Sequence, residues 1–526
     1  MRKNLKKFII APLFLSLLTG CDLFSSNNSS ASSKNSNTGT SNSASASSSK
    51  GTSASSTDQS VAPYVDPDIP YKGTYTDFWN LKDVMNVSFS FTNESLYALS
   101  YYGAKDSEKW GDVYFPADMT IDIAGATYKY YEVGVRMKGN TSRTEFLNSD
   151  GSFMEGKYAH FKVSFKATFD DAAYYSLDQF KAFAHDWTNY PDARKARKNR
   201  LLCQMEKLDF KVLPRNTSTY SQEMYCYKAF NDNGIAAPYT HWANLTLNDK
   251  KATRTSYYEM VEDIDKPFLK NRFGKDNAGG DLYKCVWGFP KNTNSWKGSD
   301  LSREDAITKV LDASGYSAGT RIAYGRIGVE DNFNNYHPNY QLKTNDDGEN
   351  SDFSKLVNYI NVVHSCRYEN GTQAMLESVL DVQEFLKFEA LSYLFGNFDD
   401  QRNNYNNYFL YFRPSDNKAI YIPYDWDWSL GNDTTGKMQS KTSLDGTDMN
   451  GNQITNNLYY ETILSDSNVK FSIDTYKATY KSSIQAAITA GVLDKANYSS
   501  FVSTYEHPEL TTVSDYMDAK KIVALQ

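Results

Sequence analysis

Polar and apolar residues alternate at period two in four stretches of the first half of the chain. These are MNVSFSF (Met85–Phe91), YYEVGVRMKG (Tyr130–Gly139), HFKVSFKATF (His160–Phe169) and HWANLTLN (His241–Asn248). Successive strand side chains point to opposite faces, so this pattern predicts half-buried strands. Two runs between them predict helices, Asp192–Leu208 and Ser221–Gly234, the second ending on a glycine suited to close a helix. In the second half the period lengthens. Ser302–Ala313 opens on a serine cap with acids in its first turn, and Ser351–Ser365 and Thr372–Phe395 follow, the last expected to break near Val382. NYFLYF and AIYIPYDW then predict a strand pair. There is no internal repeat. The expectation is an α+β chain with a strand-rich part at about 77–265, a connector near Met260–Asp265 and a helical part at about 266–526.

The N-terminus changes where this body is expected to work. MRKNLKK supplies a positive region and FIIAPLFLSLLTG an apolar one, which falls short of the roughly 18 residues that span a bilayer. It runs into LLTGC, a lipobox, so residues 1–20 read as a lipoprotein signal peptide and Cys21 as the lipidated residue. Residues 21–62 read as a flexible tether: from Ser25 to Ser60 Ser, Asn, Thr, Ala and Gly dominate, and such a segment buries too little apolar area to offset the entropy of ordering it. The body, 63–526, is then expected on the extracytoplasmic face of the cell membrane, held by lipid alone. A net charge of −7 argues against a nucleic-acid partner. Forty Tyr and 29 Phe suit an exported, polar-aromatic fold. Beyond Cys21 there remain Cys203, Cys226, Cys285 and Cys366, without CxxC spacing; disulfides and free buried thiols both stay open.

The strongest chemistry lies in YLFGNFDDQRNNYNNYFLYF (Tyr393–Phe412) and AIYIPYDWDWSLG (Ala419–Gly431), which set acids and asparagines among aromatics. Asp425 and Asp427 stand two apart at a strand end, so both can face one way. Asp399 and Asp400 follow the long helix, just before the neighbouring strand. Two carboxylates 4 Å apart repel by about 4 kcal/mol at an effective dielectric of about 20, which a cation or a shared proton must relieve. Oxygen ligands from Asp and Asn suit a hard ion such as Mg²⁺ or Mn²⁺. Six scattered His give no zinc-type cluster. An Asp leaving a helix, an Asn five residues on and a strand ending in a second Asp follow protein-kinase spacing. There the first Asp orients the acceptor hydroxyl, and the Asn and second Asp hold metal on the nucleotide. Asp399 to Asn404 is such a step.

These two segments resemble the C-terminal signature of the CotH-type (spore coat protein H) kinase family. VRMKGNTSR (Val135–Arg143), GIAAPYTHWANLTLN (Gly234–Asn248) and YYEMVEDIDKPFLKNRFG (Tyr257–Gly274) closing in GDLYK (Gly280–Lys284) resemble it too, in the family's order. The resemblance implies an atypical protein-kinase-like two-lobed fold, a strand-rich N-terminal lobe and a helical C-terminal lobe, that binds ATP with Mg²⁺ or Mn²⁺. It implies phosphorylation of Ser or Thr hydroxyls on exported or surface proteins. Carried over, Asp399 is the catalytic-loop acid, with Asp400 able to exchange roles with it, and Asp425 the metal acid, with Asp427 a further carboxylate. The metal-binding Asn is Asn404 by kinase spacing or Asn407 by alignment of NYFLY. Arg136, Lys138 and Gly139 would cover the phosphates. Lys162, with Lys166 as alternative, would be the strand lysine, Glu223 the helix glutamate that orients it, and Glu262 would lie near adenine or ribose or form a structural salt bridge.

Two other readings stay open: a kinase-like surface module without catalysis that binds cell-wall or host glycans or proteins, and transfer to a sugar or small metabolite. Asn345–Asp352 reads as a solvated acidic insert without Ca²⁺-loop spacing, and Gly274–Asp281 lacks a Walker lysine.

Overall fold

The computed structural model describes residues 68–105, 110–139, 142–212, 221–286, 298–301, 340–347, 351–397, 399–402, 404–431, 474–503 and 511–524, with short strands between 311 and 337. Cys21, the tether and the signal segment lie outside the described residues.

Alternation does what it predicts in the first half. Strand β1 (Met85–Ser90) buries Met85, Val87 and Phe89 and turns Asn86 and Ser90 outward. Helix α1 (Asn93–Ala104) starts where Thr92 accepts the Ser95 amide at 3.1 Å. The chain continues through β2 (Phe115–Ile123), β3 (Ala126–Lys138), β4 (His160–Ser164), helix α2 (Pro191–Lys198), β5 (Lys207–Val212), helix α3 (Gln222–Asp232), β6 (Thr240–Asn248) and β7 (Thr253–Glu262). The seven strands close into a barrel in the order β1-β2-β3-β4-β5-β7-β6. Only the closing pair, β1 with β6, is parallel. Its interior is apolar: Val87, Ile121, Val135, Val163, Phe210 and Met260 are at most 1 % exposed.

All four alternating stretches are strands, but the helix expected over Asp192–Leu208 is not continuous. It stops at Lys198, and Leu202 and Met205 then face each other across a bridge in which Cys203 and Gln204 take φ of +47° and +70°. The run KLDFKV that follows has its own period of two, and pairing with β4 and β7 makes it a strand. The connector expected from Met260 begins only after Glu262, where β7 ends.

Helix α4 (Lys266–Phe273) leads into the second sheet, made of β8 (Asp281–Cys285), β9 (Asn335–His337), β10 (Tyr340–Leu342), β11 (Tyr408–Phe412) and β12 (Ala419–Pro423). Its order is β9-β10-β8-β11-β12, antiparallel throughout. Helices α5 (Ser354–Tyr368), α6 (Gln373–Val379), α7 (Val382–Phe395), α8 (Asp474–Thr489), α9 (Lys495–Ser503) and α10 (Thr511–Ala524) pack about it. The break expected near Val382 falls between α6 and α7, where Asp381 caps the new helix by accepting the Glu384 amide at 3.3 Å. Of the helix expected over Ser302–Ala313, residues 302–310 lie outside the described residues, and Leu311–Asp312 is a short strand instead. Almost every face of α7 is buried, against α3, α8 and the sheet through Phe230, Tyr480 and Tyr421. Helix α3 thus belongs to the second core although the barrel strands flank it in sequence. Cys203, Cys226, Cys285 and Cys366 are buried free thiols. Among the described residues no helix is long and apolar enough to cross a membrane.

Candidate active site

The polar half of the barrel alternation builds one wall of the site. Val135, Phe161 and Phe210 point into the barrel, so Arg136, Lys138, His160, Lys162, Asp209 and Lys211 point out of it. Cross-strand register sets Arg136 beside Lys162, Lys162 beside Asp209, and Lys211 beside Glu259. Asp209, 1 % exposed, sits under two lysines, with Lys138 at 2.5 Å and Lys162 at 3.3 Å. Lys162 also pairs with Asp263 just past β7. Burial works against the Lys138 and Lys162 charges, but Asp209, joined by Tyr424 at Lys138 and by Asp263 at Lys162, raises both. His160 is driven the other way, to about 3, by burial and then by Lys211 and Lys138. The wall meets the second sheet at Tyr424, whose ring lies 5.1 Å from the Lys138 ammonium and 4.3 Å from that of Lys284 on β8.

Lys211 is the node of the cluster. Its ammonium lies 2.5 Å from Glu223 on α3, against Asp425, and 3.9 Å from Asp427. Its side chain is 6 % exposed, while Asp425 and Asp427 keep 37 % and 32 %, so both acids are partly open to solvent. The helix glutamate therefore orients Lys211 and not Lys162. Lys166, the alternative, pairs with Glu206 at 2.7 Å on the surface, both side chains about a third exposed. Burial disfavours the Asp425 carboxylate, but Lys211 and then Lys138 hold it well below the ordinary range. For Asp427 burial prevails over Lys211 and, with the charges of Asp425 and Glu223, lifts it to about 8.

The backbone at Asp425 is held as firmly. Its φ is +59°, a left-handed conformation unusual for a non-glycine. The Asp425 amide donates to the Tyr227 hydroxyl at 2.8 Å, the Trp426 amide to Glu223 at 3.1 Å, and the Asn397 amide group to the Asp425 carbonyl at 3.3 Å.

Helix α7 delivers the remaining acid. It ends on Gly396 in the left-handed conformation, and the Tyr516 hydroxyl of α10 donates to the Leu394 carbonyl at 3.1 Å beside that turn. A Cβ on Gly396 would run into the same hydroxyl. Asp399 follows and is caged by asparagines. Asn404 donates at 2.5 Å, Asn406 at 3.2 Å to each oxygen, and Asn407 at 2.8 Å, with a further bond to the Asp399 carbonyl at 3.1 Å. Burial pushes the Asp399 carboxyl up to about 6 against these amides, and the charge of Asp425 adds to the rise. Asn404 and Asn407, the two metal-ligand alternatives, both point at Asp399, and Asn407 has φ of +57°.

Asp400 goes elsewhere. It is fully buried, accepts the Arg402 amide at 2.9 Å and its Nε at 3.3 Å, and so shapes the loop from behind. Glu262 is likewise outside the cluster. One oxygen takes Arg272 at 2.7 Å and the Tyr239 amide at 3.0 Å, and the other the Tyr75 hydroxyl. This is the salt-bridge alternative. Burial, opposed by Arg272, raises its carboxyl to about 7. Arg136 donates to the Gly111 and Met137 carbonyls at 2.7 and 3.2 Å and lies 3.6 Å from Asp112. Gly139 turns with φ of +95°, and a Cβ there would strike Ser142. Arg143 pins that turn by donating to the Gly139 and Gly103 carbonyls at 2.7 and 3.0 Å. Asn140 and Thr141 lie outside the described residues.

Lys211, Asp209 and Tyr227 are the site residues missed in the sequence. The expected helix runs to Leu208, past the start of β5 at Lys207, so Asp209 and Lys211 just beyond it did not stand out as strand positions; the alternation of KLDFKV was the available signal. Tyr227 stands four residues after Glu223 and so on the same helix face, a spacing that carries no chemistry by itself.

Among the described residues no group of three or more His, Cys, Asp or Glu is placed to hold a metal ion by itself. Asp425 and Asp427 fit instead an ion held by one or two carboxylates and completed by water and phosphate. The arrangement can hold an anion on the lysines, a hard cation on the two acids and a hydroxyl at Asp399.

A model of the CotH kinase protein family matches residues 216–508. No curated protein matches the sequence. The matched stretch holds Glu223, Asp399, Asn404, Asn407, Asp425 and Asp427, and covers more than half of the chain, which therefore belongs to the CotH kinase protein family.

Proposed function

We propose that the protein is an ATP- and divalent-metal-dependent phosphotransferase that phosphorylates Ser or Thr hydroxyls of exported or surface proteins. In this proposal the barrel and the helical half act as the two lobes of a kinase-like fold. The carrying observation is Lys211, bonded at once to a helix glutamate and to the acid that follows the β11–β12 pair. Protein kinases need that lysine–glutamate pair and a metal-holding Asp together. The strand order β3-β4-β5-β7-β6, with α3 between β5 and β6, gives this pair its frame.

In this mechanism Lys211 and Lys138 bind the phosphates from the barrel side, and Asp209 keeps Lys138 extended. Asp425 and Asp427 would be the carboxylates that hold Mg²⁺ or Mn²⁺, and Asn404 or Asn407 would offer an amide oxygen. The metal, when bound, neutralises phosphate charge. Asp399 accepts the hydrogen bond of the acceptor hydroxyl and orients its oxygen; its carboxyl near 6 is ionised at neutral pH, as a base requires. Positioning and charge neutralisation, rather than covalent catalysis, supply the rate. The N-terminal lipobox and tether support placing this chemistry outside the cytoplasmic membrane.

The test is incubation of the full chain with labelled ATP, Mn²⁺ or Mg²⁺ and exported proteins, then mapping of modified residues. Label on Ser or Thr that vanishes in Asp425→Ala is the expected result. Failure to bind metal–ATP by calorimetry would sink the proposal.

A further inference from the structure

We infer that Tyr227 is the positioning residue that ties the lysine–glutamate pair to the metal-binding acid, so that the two form and fail as one unit. The inference rests on the phosphotransferase reading above. It starts from a single hydroxyl with two uses. The Tyr227 hydroxyl donates to Glu223 Oε1 at 2.8 Å and accepts the Asp425 amide at 2.8 Å. A phenol has one proton to give and lone pairs to receive, so both bonds coexist. The same Glu223 oxygen accepts the next amide, that of Trp426, at 3.1 Å. Two successive peptide N–H groups of the acid's turn thus end on α3, one through a tyrosine and one through a glutamate.

The turn needs that hold. Asp425 sits at φ +59°, a conformation L residues adopt at a cost of about 1–3 kcal/mol, kept only where surroundings over-determine it. Tyr227 is 1 % exposed and Glu223 4 %, so an amide released there finds no water to replace its partner. Without the hydroxyl the peptide rotates toward an ordinary conformation and turns the Asp425 carboxylate from Lys211 and from the metal position. The geometry makes α3 and the acid's turn a single rigid piece, with Lys211 bridging its two carboxylates.

The experiment uses the full chain and calorimetric titration of Mn²⁺ in the presence of a non-hydrolysable ATP analogue. Tyr227→Phe removes one oxygen and leaves the ring in the core. It is expected to weaken Mn²⁺ binding by about tenfold or more. Tyr225→Phe is the control: it lies on the same helix and loses a buried hydroxyl bond of 3.0 Å to the Val492 carbonyl, away from the acids. It should bind Mn²⁺ as the unaltered protein does. Equal affinity in Tyr227→Phe and the unaltered protein, or equal loss in both variants, overturns the inference and leaves the phosphotransferase reading intact. Absence of Mn²⁺–nucleotide binding in the unaltered protein overturns that reading itself.

Discussion

The two walls of the candidate site are built on opposite plans. The barrel wall is regular: its lysines stand at alternate strand positions, each already beside a carboxylate, with Asp209 buried under Lys138 and Lys162. The facing wall is two loops, 396–407 and 424–427, with left-handed backbone at Gly396, Tyr405, Asn407 and Asp425, and side-chain bonds hold Asp399 and the Asp425 turn. Cation positions are thus fixed by strand register, which one substitution scarcely disturbs. Acid positions depend on individual hydrogen bonds, each of which can be cut. The barrel should hold its remaining side chains in place when one is changed, and the loops should not.

The sharpest break is in the loops. Asp399→Ala or Asp425→Ala should lower phosphate transfer by about 10²–10³-fold, roughly 3–4 kcal/mol at the transition state, in labelled-ATP assays. Activity near that of the unaltered protein in both would remove the acids from the mechanism. In the barrel, Lys211→Met should cost about 10²-fold, whereas Lys162→Met should cost less than about tenfold because Lys138 remains on Asp209. The reverse order would return the kinase lysine to β4. Proton linkage comes next. Asp427, lifted to about 8, must lose a proton to hold a metal, so Mn²⁺ affinity should rise by about 50-fold between pH 6 and 8, with proton release in calorimetry. Transfer at saturating metal should rise with pH through about 6 as Asp399 ionises. Its folded-state carboxyl lies above the unfolded one, so its contribution to stability has the opposite sign: present below about 4 and lost as pH passes 6. The smallest effect is expected at Glu262→Gln, which should lower stability by about 1 kcal/mol through the weakened Arg272 bond and leave transfer intact. Loss of nucleotide binding there would instead place Glu262 in the site.

Much of this division is written in the chain at different depths. Period-two alternation located β1, β3, β4 and β6, because each has one wet and one dry face. The gathering of Asp399, Asp425 and the asparagines was legible because so many acids and amides crowd two short neighbouring segments, and the structure brings them together. Lys211 was not. Its strand follows a helix with only a short turn between, and the φ of +47° and +70° that separate them fall on Cys203 and Gln204, residues that announce no turn. Asp400 could not be told from Asp399 in sequence, since only burial on Arg402 separates them. Glu262 was ambiguous for the same reason: its partners Tyr75, Tyr239 and Arg272 come from three distant parts of the chain.

The Tyr516 hydroxyl that rests beside Gly396 lies beyond residue 508, where the family match ends. A chain trimmed at that limit would retain all the acids while losing the peg against which the preceding helix stops. The last helix therefore steadies from afar the turn that leads into Asp399, and damage to it can misaim that acid without touching it.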